Sequence, residues 1–128
     1  MRRHRFVALV LAASALAVGC GDALEGPGVL PATIRSPEPL GAVVLEFTGE
    51  GILGFEGQGS TLVYSSPLPA EPNRHRVVLV SPGGGTEIRF GIEMADRRGA
   101  LPAVAAVEAA SPTNGVASAS GLQVKIER

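Results

Sequence analysis

The chain of 128 residues has no tryptophan, one tyrosine, four phenylalanines, one cysteine and two histidines. Each shortage closes off a class of function. A lone cysteine cannot form a disulfide within the chain, and zinc sites need several Cys or His at fixed spacing. A nucleophilic triad needs a histidine base beside Ser or Cys. Beyond the first twenty residues only His75 remains, flanked by Arg74 and Arg76, and it reads as a solvated residue at a strand start. Calcium loops are rich in Asp, whereas only Asp22 and Asp96 occur here. Glu46, Glu50 and Glu56 supply carboxylates for a glycosidase pair, but sugar clefts also offer aromatic platforms, and rings are scarce. Phe47, Phe55 and Phe90 read as core. Tyr64 reads as structural first and as part of a binding surface second. The expectation is a protein that is not an enzyme, with no catalytic residue, metal or cofactor.

Long apolar runs are also missing, with one exception. Arg2, Arg3 and Arg5 precede a stretch from Phe6 to Gly19 of 14 apolar or small residues. That is short for a membrane span, which takes about 20 residues. A basic start, an apolar run of this length and small residues at its end have the pattern of a secretory signal helix.

The run ends in Ala17-Val18-Gly19-Cys20, preceded by Leu16. This resembles the lipobox of bacterial lipoproteins, although those proteins usually carry Leu where this chain has Ala17. The resemblance covers the first 20 residues. It implies cleavage between Gly19 and Cys20 by signal peptidase II and lipidation of Cys20. Two or three acyl chains anchor a protein stably, where one holds only marginally. Gly21 stands where many inner-membrane lipoproteins carry a retaining Asp. The implied location is therefore the outer membrane, facing the periplasm or the cell surface, in a host with two membranes. The competing readings are a secreted protein with a stray cysteine and a cytoplasmic protein with an apolar first helix.

Removing residues 1–19 leaves 109 residues, enough for one domain. The leader carries three Arg and no acid, so eight basic residues face 12 acidic ones, a net charge of −4. Nucleic-acid binding needs a basic footprint, and none is present. Anionic lipid likewise finds no polybasic patch.

Residues 20–40 hold Pro27, Pro31, Pro37 and Pro39 among Gly and Ser. They read as a tether carrying the lipidated Cys20, with an edge strand around Val29 to Ile34 as the alternative. The domain is expected over residues 41–128. Val43, Leu45 and Phe47 alternate with Val44, Glu46 and Thr48, the period of a half-buried strand. Ile52 to Glu56 and Thr61 to Ser65 follow across Gly turns, as a meander. Pro67, Pro69 and Pro72 mark Ser66 to Asn73 as a crossover loop. Arg76 to Val80 reads as a strand buried on both faces. Gly83-Gly84-Gly85 precedes a strand and not a helix, so it reads as a hairpin turn and not a phosphate loop. Ile88, Phe90, Ile92 and Met94 give the cleanest alternation in the chain. Leu101 to Ala110 is open between a two-turn helix and a strand; the Asn114-Gly115 turn after it favours a strand paired with Val116 to Ser120. Leu122, Val124 and Ile126 close the chain facing inward.

Seven or eight short strands with turns between them predict an all-β fold, an antiparallel β-sandwich of Ig-like or cohesin-like type. Residues 41–128 resemble the small cohesin-like domains of bacterial surface proteins in four features: the opening strand (Val43, Leu45, Phe47), the alternating strand after a Gly-rich turn (Ile88, Phe90, Ile92), a small-residue strand pair around Asn114-Gly115 and the short closing strand (Val124, Ile126). No binding residue carries over. The combined expectation is a lipid-anchored envelope lipoprotein, its sandwich a non-catalytic interaction or structural module with an envelope protein as partner. The alternative is a lipoprotein that binds a small ligand or glycan. A well-formed polar pocket would mark the alternative, and a flat exposed apolar patch a protein partner.

Overall fold

The computed structural model describes residues 25–128. The signal helix, the cleavage point at Gly19–Cys20 and the lipidation of Cys20 expected from the sequence fall outside the described residues.

Among the described residues nine strands run in chain order: β1 (Gly28–Arg35), β2 (Ala42–Thr48), β3 (Ile52–Gly57), β4 (Leu62–Leu68), β5 (Glu71–Val80), β6 (Glu87–Met94), β7 (Ala103–Ala110), β8 (Val116–Ala117) and β9 (Gln123–Ile126). They form two sheets, ordered β3-β6-β1-β9 and β4-β5-β2-β7-β8, with every pairing antiparallel. The fold is the expected β-sandwich. Its core sits between the sheets, where each contributes one face of its alternating strands. Val43, Leu45 and Phe47 from one sheet meet Ile88, Phe90, Ile92 and Met94 from the other, all buried. The Phe47 ring lies 5.0 Å from Phe55 and 6.0 Å from Phe90, centroid to centroid. Offset and edge-on pairs of this kind are worth about 0.5–1.5 kcal/mol beyond their burial.

The largest correction concerns the tether. Residues 28–35 form β1, an inner strand paired to β6 over eight residues and to β9 over four. Leu30, Ala32 and Ile34 are buried on its inner side. Pro31 is compatible with this place because of where its missing donor would point. In an antiparallel strand a residue's N–H and C=O face the same neighbour. The Pro31 carbonyl accepts from Glu127 N at 2.8 Å, so the absent N–H also faces the β9 side. The β1–β9 pairing ends at Ala32–Ile126, and the bond forfeited lies just beyond it. Leu40 is likewise buried, and its N–H donates to Gly85 O at 2.7 Å. The domain therefore begins before Gly28, not at residue 41.

Four further expectations change. β2 and β3 lie in different sheets, so residues 42–65 are not a meander. Ser66 to Asn73 is not a crossover loop: β4 and β5 run through Pro67 and Pro72 and pair from Leu62–Val80 to Leu68–Glu71, as a hairpin around Pro69 and Ala70. β4 is an edge strand, where a missing N–H can face solvent. Gly83 to Gly85 is not a hairpin, because β5 and β6 belong to opposite sheets. Gly84 and Gly85 have φ of 67° and 148°, which lets the chain turn sharply from one layer to the other. In β5, Val77 and Leu79 are buried while Val78 and Val80 are only half-buried. Leu101 to Ala110 resolves as strand β7.

Because β1 fills the middle of its sheet, Ile34→Ala should cost about 3 kcal/mol in urea unfolding, the usual range for a buried aliphatic truncation. A loss under about 1 kcal/mol would mean that residues 28–35 do not contribute to the core.

Candidate functional site

The candidate catalytic residues are not brought together. Glu46 lies in β2, Glu56 in β3 of the other sheet, and Glu50 in the turn between these strands. Glu46 accepts from Arg76 Nη2 at 2.6 Å and from Arg74 Nη2 at 2.5 Å. Arg74 also reaches Glu71 at 2.9 Å. The hydrogen bond from Arg76, then that from Arg74, holds the Glu46 carboxyl below its ordinary range. Its partners raise Arg74, Glu46 first and Glu71 second. This carboxylate is thus fully engaged in an ion-pair cluster.

His75 is not a solvated residue. It pairs with Phe47 in register and is half-buried, its ring 5.9 Å from Phe55 at an interplanar angle of 64°. Its Nδ1 is buried without a hydrogen-bond partner. Asp96 accepts from the Arg98 backbone N–H at 3.0 Å within its own turn. Asp22 lies outside the described residues, among which no group of three metal-ligating side chains occurs.

The outer faces of the two sheets differ in chemistry. On the four-stranded sheet, Glu87 binds Arg89 at 2.6 Å and Arg35 at 3.7 Å, and Lys125 lies 3.6 Å from Glu127. Gly91 sits at the centre of this face, where a Cβ would fall 2.5 Å from the Val29 side chain and 2.9 Å from that of Glu56. It is a closed, charged surface.

The five-stranded sheet is the opposite. Its register lines up Leu62, Val80, Ala42, Ala110 and Val116 in one row across all five strands. The next row is Tyr64, Val78, Val44 and Glu108, and the third is Ser66, Arg76, Glu46 and Ala105. A bulge between Val44 and Leu45 leaves Val107 unpaired and turned outward. Leu62 is 48% exposed, Tyr64 61%, Val107 42% and Val116 99%. Together with the half-buried valines between them they offer on the order of 600 Å² of apolar surface, the upper end of what a monomer leaves exposed. A hollow of about 360 Å³ lies at the β7–β8 side, lined by small residues with Glu108 and Asn114. Its polar groups are too few and too dispersed to fix a small ligand's orientation. Leu62 and Tyr64, two residues apart in β4, share one face; that this face is the outer one depends on pairing with β5, which no local pattern encodes.

The ends of the sandwich are also distinct. Chain enters at the end carrying the Asp96–Gly99 turn. There the Arg97 guanidinium donates to Glu25 O at 3.0 Å, the Arg97 N–H donates to Gly26 O at 2.9 Å, and Arg98 pairs with the Glu25 carboxylate. The stem of Arg97 crosses Gly28, where a Cβ would lie 2.5 Å from its Nε. The apolar row lies at the other end, beside the Ser36–Gly41 and Ser111–Gly115 connections.

No family model matches the chain, and neither a curated protein nor a solved structure matches it.

The sign of the Glu46 shift fixes a pH dependence. A carboxyl lowered in the folded state stabilises above its unfolded pKa, and that contribution is lost as pH falls through the folded value. Glu46→Gln should therefore lower Tm at pH 7, with the difference from wild type closing below about pH 4. A gap that persists unchanged in acid would show that the ion pairs are not its cause.

Proposed function

We propose that this is an exported bacterial lipoprotein, held on the cell envelope by lipid on Cys20, whose β-sandwich serves as a non-catalytic interaction or structural module. The observation that carries the reading is the position of Cys20. It ends an apolar leader of lipobox pattern and stands five residues before Glu25, where the chain is clamped to one end of the sandwich. Five extended residues reach about 17 Å at most. With so short a link, the end bearing Arg97 and Arg98 faces the lipid headgroups. The other end, with its apolar row, points away from them. Gly21 after the cysteine supports the outer membrane as the destination.

The interaction role is supported by the contrast between the two sheet faces: one is covered by ion pairs, the other carries an uncovered apolar band. Glycan or small-ligand binding has weaker support, since the band is flat and its one adjoining hollow is poor in polar groups.

Metabolic labelling with a palmitate analogue should mark the wild-type protein and not Cys20→Ser, and the variant should leave the membrane fraction. Label on the variant, or none on the wild type, would overturn the lipoprotein reading.

A further inference from the structure

We infer that the outer face of the five-stranded sheet is the contact surface of a homodimer, two copies stacking these faces about a two-fold axis that runs parallel to the strands, over β2 and midway between the stacked sheets. Such an axis exchanges the sides of the sheet and keeps its ends. β4 of one copy then lies over the partner's β8, β5 over the partner's β7, and β2 over the partner's β2.

The rows of the face are complementary under this operation. In the first row Leu62 meets the partner's Val116, Val80 meets the partner's Ala110, and Ala42 meets the partner's Ala42. Each contact is apolar on both sides, and the larger residues of one half fall on the smaller strands of the other. In the second row Tyr64 falls beside the short β8 of the partner, where that two-residue strand leaves space next to the partner's Val107 and Glu108. Charge fits as well. Glu108 has no ion pair among the described residues. The operation sets it over the partner's Val78, two residues or about 7 Å along β5 from the partner's Arg76. Both are long side chains, and the contact occurs twice by symmetry.

The area is sufficient. A face of about 600 Å² on each copy removes about 1,200 Å² in all, the lower bound for a specific interface. Stacking as an additional layer is also ordinary sheet chemistry, with aligned sheets packing about 10 Å apart. One point rests on the lipoprotein reading: because the axis keeps the ends of the sandwich, both copies present Glu25 on the same side, as two chains anchored in one membrane require.

The geometry predicts a specific cross-link. Within one copy Leu62 and Val116 stand at opposite margins of the sheet, four strand spacings or about 19 Å apart, beyond the reach of a short bis-maleimide. Between copies they face each other across about 10 Å, within that reach though too far for a disulfide. The full-length Leu62→Cys/Val116→Cys variant, treated with a short bis-maleimide in its host membranes, should run at twice the monomer mass on a denaturing gel. Co-expressed single variants should give the same band, and each single variant alone should not. Both positions are exposed, so folding is not at stake. Failure of the double variant to cross-link, or equal cross-linking by either single variant alone, would overturn the proposal. Cross-linking to a species of another mass would do so too, and would give the face to a foreign protein. Repeating the bis-maleimide treatment in a Cys20→Ser background separates the two claims. A cross-link that survives there supports the dimer whatever the fate of the anchor, and labelled wild type whose double variant gives no cross-link refutes the dimer alone.

Discussion

The two-sided pairing of β1 is the constraint on which the rest of the structure depends. β1 joins β6 to β9. Without it the four-stranded sheet is reduced to β3 and β6, the first interrupted at Leu53, where the register shifts between Ile52 and Gly54, and β9 loses its partner. The core would lose Leu30, Ala32 and Ile34 together, the buried Leu and Ile side chains being worth about 1.5–3 kcal/mol each. A domain of about a hundred residues with no disulfide has little stability in reserve against such a loss.

That constraint also sets the orientation of the surface. Since β1 starts near Gly28 and the chain is clamped at Glu25, the link to Cys20 is a few residues and not a twenty-residue leash. A long tether would let the sandwich tumble and present any side. Under the anchoring proposed for Cys20, a short one fixes which end meets the membrane and leaves the apolar row of the five-stranded sheet at the other. The charged residues of that face are drawn together toward the end bearing Arg97 and Arg98, where Glu46 and Glu71 neutralise Arg74 and Arg76, and the remaining half is free of ion pairs among the described residues. Charge is thus segregated along the strands.

The strands whose side chains alternate cleanly were legible in the sequence. β6 and β2 are placed by Ile88-x-Phe90-x-Ile92-x-Met94 and Val43-x-Leu45-x-Phe47, and the inward faces follow directly. β7 follows from the Asn114-Gly115 turn, and Asn114 adopts the positive φ of 64° that such turns use. Proline caused two errors. Pro31 and Pro67 argue against a strand by composition, yet each stands where no ladder partner needs its N–H, a fact about neighbours and not about local sequence. Pairing partners were the other blind spot. Nothing within residues 42–65 reveals that β3 crosses to the opposite sheet, and nothing near Val116 reveals that its side chain ends a five-strand apolar row. His75 reads as polar and exposed, but its register with Phe47 turns it toward Phe55. The site was therefore legible in its residue types and not in its geometry, because a sheet face is assembled from strands distant in the chain.

The claim that residues 28–35 form an inner strand, leaving only a short link to Cys20, is tested most directly by native-state hydrogen exchange of the full-length protein. Among the amides of β1, those bonded within the ladders should exchange as slowly as the protected amides of β6, through global unfolding. Exchange across Gly28 to Arg35 at the rate of an unstructured peptide, with β6 still protected, would contradict the account.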